Sequence, residues 1–168
     1  MRESPEDVAR LEALIDASFE RAGPHLLSIY RPDRRLSAGQ VVALFAGARQ
    51  IAVATVTASG EPRVAPVDAI LLRGRFHFGT SATAARIRHL RRRPAISLSY
   101  FERDDIAVIV HGRAILLEYG QSDFEELDRA FIQIYGGAPS TPEEGVVFVR
   151  VEPETMFTFA QRPEEVGG

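Results

Sequence analysis

The sequence predicts a mainly β domain, a mostly antiparallel, barrel-like sheet with helices packed outside it. Three observations carry this reading. Six segments of strand length lie between Ile51 and Phe159, most of them are joined by turns too short for the crossover of a parallel pair, and helical periodicity is confined to the stretches before and between them.

Ser4-Pro5-Glu6-Asp7 reads as a helix start, with a hydroxyl at the cap, Pro at the first helical position and acids in the first turn. Val8, Leu11, Leu14, Ile15 and Phe19 follow at helical spacing and give one apolar face, and Gly23-Pro24 ends the helix. His25 to Arg35 reads as an aperiodic connector. Ser37-Ala38-Gly39-Gln40 has the spacing of a capping box, which predicts a second short helix to about Ala48.

The first strand alternates from Ile51 to Thr57, and Ala58-Ser59-Gly60-Glu61 supplies the turn of a hairpin. Arg63 to Leu72 returns as the second strand. Pro66 lies inside it and cannot donate a ladder hydrogen bond, so the strand is at an edge or bulged there, which frees backbone groups for a ligand. After Arg73-Gly74, Phe76-His77-Phe78 makes a third strand. Gly79-Thr80-Ser81-Ala82-Thr83 then opens a helix from about Thr83 to Arg92, with Ile87 and Leu90 inward and Pro94 as its stop. Ile96 to Tyr100 is the fourth strand, Arg103-Asp104-Asp105 a turn, and Ile106 to Glu118 a long fifth strand broken in character at Gly112. Ser122 with Glu125 forms another capping box, and Phe124, Leu127, Phe131 and Ile134 stripe a helix ending near Gly136-Gly137. Past the Pro-containing loop Ala138 to Glu144, Val146 to Val151 and Thr155 to Phe159 form the closing strand, kinked at Pro153.

Composition narrows the chemistry. The chain has 168 residues, 45% hydrophobic and 26% charged, which suits one globular domain with a real core, and no apolar run reaches the roughly 18 residues of a membrane span. No membrane partner is expected. The acidic start, Met1-Arg2-Glu3-Ser4-Pro5-Glu6-Asp7, lacks the apolar core of a secretory leader, and the expected location is the cytoplasm. With no cysteine there is no disulfide, thiolate metal site or Cys nucleophile, and since all 20 basic residues are Arg there is no Lys to form a Schiff base. A net charge of −3 argues against a surface that coats nucleic acid, and Arg91-Arg92-Arg93 near a helix C-terminus suits the macrodipole. His25, His77, His89 and His111 are spread over separate elements without an i, i+4 pair, so no metal site is predicted. Asp68, close to Pro66, reads either as a proton donor or as an outward strand residue.

One stretch points to a ligand. A helix N-terminus carries unpaired N–H groups and a partial positive charge, so Thr80, Ser81 and Thr83 beside it, with Arg86 in its first turns, make a seat for a phosphate, the other reading of Arg86 being a solvated side chain or an ion pair with one of the 23 acids.

Ala54-Thr55-Val56, Gly60-x-Pro62, Pro66, Phe78-Gly79-Thr80-Ser81, Arg86, Leu90-Arg91-Arg92-Arg93-Pro94 and Gly112-Arg113-Ala114, in that order and spacing, resemble the pyridoxamine 5'-phosphate oxidase-like superfamily of flavin-binding barrels. The resemblance covers about Val41 to Glu118. It implies a six-stranded antiparallel split β-barrel spanning residues 37–160, with an N-terminal helical extension over 1–36 and a tail over 161–168. It further implies a homodimer that binds FMN in a groove between subunits, or in one branch a deazaflavin coenzyme. By the same resemblance Arg86 meets the cofactor phosphate with Thr80, Ser81 and Thr83 beside it, and the strand through Arg63, Val64, Ala65, Pro66 and Val67 lies along the flavin ring. The longer C-terminal region with which the true oxidase grips pyridoxal phosphate has no counterpart beyond Gln161-Arg162-Pro163, so vitamin B6 oxidation is the less favoured activity. The expectation is a flavin-dependent oxidoreductase acting on a small-molecule substrate. Three alternatives stand beside it: a deazaflavin-dependent reductase, a non-catalytic barrel that carries or senses flavin or haem, and, last, a nucleic-acid module using the Arg86 to Arg93 helix.

Overall fold

The computed structural model describes residues 3–167, so the readings that fall on Met1, Arg2 and Gly168 lie outside the described residues. Six strands, β1 (Arg49–Val56), β2 (Pro62–Leu72), β3 (Arg75–Ser81), β4 (Ala95–Glu102), β5 (Ile106–Leu117) and β6 (Val146–Ala160), close into an antiparallel barrel in the order β1-β2-β3-β6-β5-β4. Among the described residues five α-helices lie around it: α1 (Pro5–Glu20), α2 (Pro24–Ile29), α3 (Ala38–Leu44), α4 (Ala85–Arg92) and α5 (Ser122–Tyr135). The expected mainly β barrel with flanking helices is therefore observed.

Alternation builds the interior. Ile51 and Val53 of β1, Phe76 and Phe78 of β3, Leu98 of β4, Val108 and Val110 of β5 and Val149 of β6 point inward and are almost wholly buried. The apolar stripe of α1 and the start of α3 join the same core through Leu11, Ile15 and Val41. Two buried hydroxyls tie these helices to β6. Ser18 accepts from the Met156 amide at 2.9 Å, and Thr158 Oγ1 both accepts from the Leu36 amide at 3.1 Å and donates to its carbonyl at 2.9 Å. The other face of the sheet carries α5, whose Phe124, Leu127 and Ala130 bury against Ile70, Leu72, Leu117 and Phe148.

Several local expectations need correction. Ser37 forms the expected capping box with Gln40, and Ser4 caps α1 as expected, its cap completed as a box by Asp7. Ser122 forms no such box: α5 takes Gln121 as its cap, which places Ser122 inside the first turn where its hydroxyl has no orphan amide to accept from. Gly23-Pro24 opens α2 instead of closing α1, because Pro suits a first helical position as well as it ends a preceding helix. The supposed connector therefore holds α2 and a 3-10 turn at Pro32–Arg34. α3 stops at Leu44, short of Ala48, and α4 starts at Ala85. β6 is one continuous strand. Its ladder with β5 slips between His111, opposite Thr155, and Gly112, opposite Pro153, so Glu154 is the extra residue of a bulge. Gly112 is required there: a Cβ at this position would sit 2.2 Å from the Glu152 carbonyl oxygen.

The barrel also has a parting. β2 pairs with β3 only from Ala69 opposite Phe78 to Leu72 opposite Arg75. Before Ala69, β2 keeps only β1 as a neighbour, while β3 beyond Phe78 runs with β6 as far as Ser81. Pro66 sits opposite Ala52 in unbroken register, so of the two expectations for it the edge position is the one found. The strands separate, and α4, leaving the end of β3, lies beside the gap.

Candidate functional site

The gap is a cleft of about 470 Å³. Its floor comes from the inward face of β1 at Val53 and Thr55 and from Thr57 just past the strand's end, one side from the open edge of β2 at Arg63, Val64 and Ala65, and the roof from the cap residue Ala84 with Ala85, Arg86 and His89 of α4. The alternation that turns Ile51 and Val53 into core also turns Thr55 and Thr57 into this space, because β3 has moved away from that end of the sheet.

Of the eight residues expected at a cofactor, Arg63, Val64, Ala65 and Arg86 line the cleft, whereas Pro66, Thr80, Ser81 and Thr83 lie outside its lining. Ser81 and Thr83 are exposed at the end of β3, their hydroxyls 2.8 Å apart, and Ser81 Oγ also accepts the Thr83 amide at 3.2 Å. These hydroxyls close a turn among themselves. Arg63 is held on the rim by Glu61 at 2.8 Å.

Arg86 differs. Among the described residues its guanidinium has no carboxylate or carbonyl partner, and partial burial, which disfavours the charged form, pushes its pKa below the usual arginine value. The guanidinium stays charged, since arginine is not deprotonated in proteins. The helix end beneath it is open as well. Ala84 caps α4 without a side-chain bond, and the amides of Ala85 and Arg86 have no acceptor among the described residues. Among the described residues no acid lines the cleft. Its donors are therefore unmatched, and an oxyanion is the complement.

Val53, Thr55, Thr57, Ala84, Ala85 and His89 also line the cleft and stand outside the residues expected there. For His89 a signal existed: it lies one helical turn after Arg86, and residues three apart share a helix face.

A six-stranded antiparallel barrel that parts beside a helix bearing unmatched cationic donors is a split barrel in its architecture. The chain belongs to the pyridoxamine 5'-phosphate oxidase family, whose model matches residues 38–160. No curated protein matches it in sequence. Among solved structures it is similar to the conserved hypothetical protein Rv2991 from Mycobacterium tuberculosis, with a TM-score of 0.66 and 22% identity over 80% of this chain and 91% of that one. It is also similar to the heme storage protein HutZ from Vibrio cholerae, with a TM-score of 0.58 and 16% identity over 83% and 95% of the two chains. An F420 reductase aligns with a TM-score of 0.52 and 17% identity over 77% and 94%. At these identities the likenesses establish the shared fold.

Proposed function

We propose that this protein is a flavin-dependent oxidoreductase that binds FMN in the cleft beside α4 and exchanges hydride or electrons with a small-molecule substrate. The observation that carries the proposal is the unmatched donor set on α4 facing an apolar strand edge. FMN combines a phosphate with a flat, largely apolar ring, and the cleft offers the matching halves: Arg86 with the free amides of Ala85 and Arg86, and the surface of Val53, Val64 and Ala65.

When bound, FMN supplies the redox chemistry, which is why no acid-base or nucleophile constellation is needed from the protein. Arg86 anchors the phosphate through its planar donor fork. Val64 and Ala65 exclude water from one side of the ring, and Arg63 closes the rim. The β2 edge stays open, and Val64 is 68% exposed on it. A second copy of the chain covers that edge in this reading, giving a homodimer with a site at each interface.

The F420 reductase among the structural relatives supports testing a deazaflavin coenzyme in the same cleft, since it also carries phosphate, and the HutZ relative supports testing haem. The experiment is a visible-absorption titration of the purified protein with FMN, deazaflavin coenzyme and haem, on wild type and Arg86→Ala. A saturable flavin shift that weakens in the variant is expected. Preference for deazaflavin would replace FMN in the proposal, and failure to bind either flavin would overturn it.

A further inference from the structure

The cleft contains a pair of side chains for which the FMN reading has no use so far. Thr55 is 3% exposed on the inward side of β1, and its Oγ1 lies 2.9 Å from Nδ1 of His89 on α4. A buried hydroxyl must donate its proton or leave a polar group unsatisfied. Among the described residues the only acceptor within reach of Thr55 Oγ1 is that ring nitrogen. The reverse arrangement, with Nδ1–H pointing at Thr55, would leave the hydroxyl proton without a protein acceptor among the described residues.

We infer that Thr55 locks His89 as the Nε2–H tautomer, making His89 a hydrogen-bond donor to anionic oxygens in the cleft and not a metal ligand. A neutral imidazole that accepts at Nδ1 carries its proton on Nε2, and Nε2 has no partner among the described residues. His89 lines the cleft one turn from Arg86. An N–H donor next to an unmatched guanidinium, with no lining carboxylate to compete, suits a phosphate-type oxygen. Iron or zinc would require the opposite polarity, a lone pair on Nε2 and an Nδ1–H given to an acceptor. Thr55 is thus a positioning residue acting through His89. The ligand half of this inference rests on the cofactor reading above, while the tautomer half is a property of the ligand-free protein.

The two halves are tested separately. In full-length protein labelled with 15N-histidine, long-range proton–nitrogen correlation reads the tautomer, with the His89 signals assigned by their loss in His89→Ala. Nε2–H is expected in the wild type and a mixture in Thr55→Val, and Nδ1–H in the wild type would overturn the inference. FMN and riboflavin are then titrated. His89→Ala is expected to weaken FMN about tenfold and leave riboflavin, which lacks the phosphate, unchanged, while His89→Gln restores part of the loss through its amide N–H. Equal FMN affinity in wild type and His89→Ala would overturn the ligand half, as would a haem complex whose iron ligation disappears with His89. If the wild type binds no flavin while its tautomer is Nε2–H, the cofactor reading fails and the Thr55–His89 lock stands.

Discussion

Two places on this barrel gather arginines around a histidine, and they differ in whether the charges are matched. Beneath α5, Arg73 pairs with Glu126 at 2.5 Å, Arg75 with Glu152 at 2.6 Å and Arg150 with Asp123 at 2.6 Å. Arg150 Nε also lies 2.8 Å from Glu152 Oε1, close enough for the charges to pair although its N–H is not aimed at that oxygen. His77 is buried among them, donating Nδ1–H to the Arg75 carbonyl at 3.0 Å, beside a small cavity of about 180 Å³. Beside α4, Arg86 and His89 face a larger cleft whose lining, among the described residues, holds no acid. Charges that satisfy one another hold a helix on a sheet; charges left open wait for a ligand. Stability should therefore depend on the first cluster and binding on the second.

The largest expected effect belongs to His77. Burial foremost, with the neighbouring Arg150 and Arg75, pushes its pKa down from 6.5 to about 4. The unfolded chain takes up the proton first, so the stabilisation is whole above pH 6.5 and is lost as pH falls towards 4. Over that window the loss is about 3 kcal/mol. Urea unfolding of wild type and His77→Gln at neutral and mildly acidic pH measures it, and equal pH slopes for the two proteins would refute the assignment. The difference between them cancels the Glu3 carboxyl, which burial pushes up, and the carboxyl of Asp123, which its hydrogen bond from Arg150 holds below the usual value.

Arg150→Met comes next. It strips Asp123 of its partner and leaves Glu152 to Arg75 alone, on a half-buried surface. A loss of about 1 to 2 kcal/mol in unfolding free energy is expected. FMN affinity should not move, and a fall in it would show that the two clusters are coupled.

The same contrast explains what could be read in advance. The six strands were legible because alternation and Gly or Asp turn residues are local signals, while the Ser4 cap was legible from Pro5 and the acids after it and the Ser37 cap from Gln40 at fixed spacing. α2 has six residues, too few for periodicity to show, and a Gly-Pro pair can end one helix or begin another. The unmatched state of Arg86 was not legible, since whether one of 23 acids reaches it is decided by tertiary packing. Nor was the cleft floor: Thr55 and Thr57 read as ordinary strand residues until β3 is seen to leave β2 at Ala69. His89 was within reach of the sequence through its spacing from Arg86, but its Thr55 partner lies 34 residues away.

Arg86→Ala sharpens the comparison from the binding side. Its guanidinium has no partner to lose among the described residues, so the change in unfolding free energy should stay within about 0.5 kcal/mol. FMN affinity should fall about 10- to 100-fold, the cost of a charge-assisted hydrogen bond to phosphate. A variant that loses stability and keeps its affinity would reverse the roles assigned to the two clusters.

The smallest expected effects separate the cleft from the turn that precedes it. Ser81 and Thr83 carry the hydroxyls that family resemblance sets beside the phosphate, yet these hydroxyls bond each other at 2.8 Å on the exposed end of β3. If the phosphate sits under α4 and takes its donors from Arg86, the free amides and His89, then Ser81→Ala and Thr83→Ala remove only a solvent-exposed turn contact. Each should cost about 0.5 kcal/mol of stability and change FMN affinity less than about threefold. A loss approaching that of Arg86→Ala would place the phosphate at the turn. Arg86 would then reach the ligand from the first turn of α4, and the Ser81–Thr83 bond would have to open when the cofactor binds.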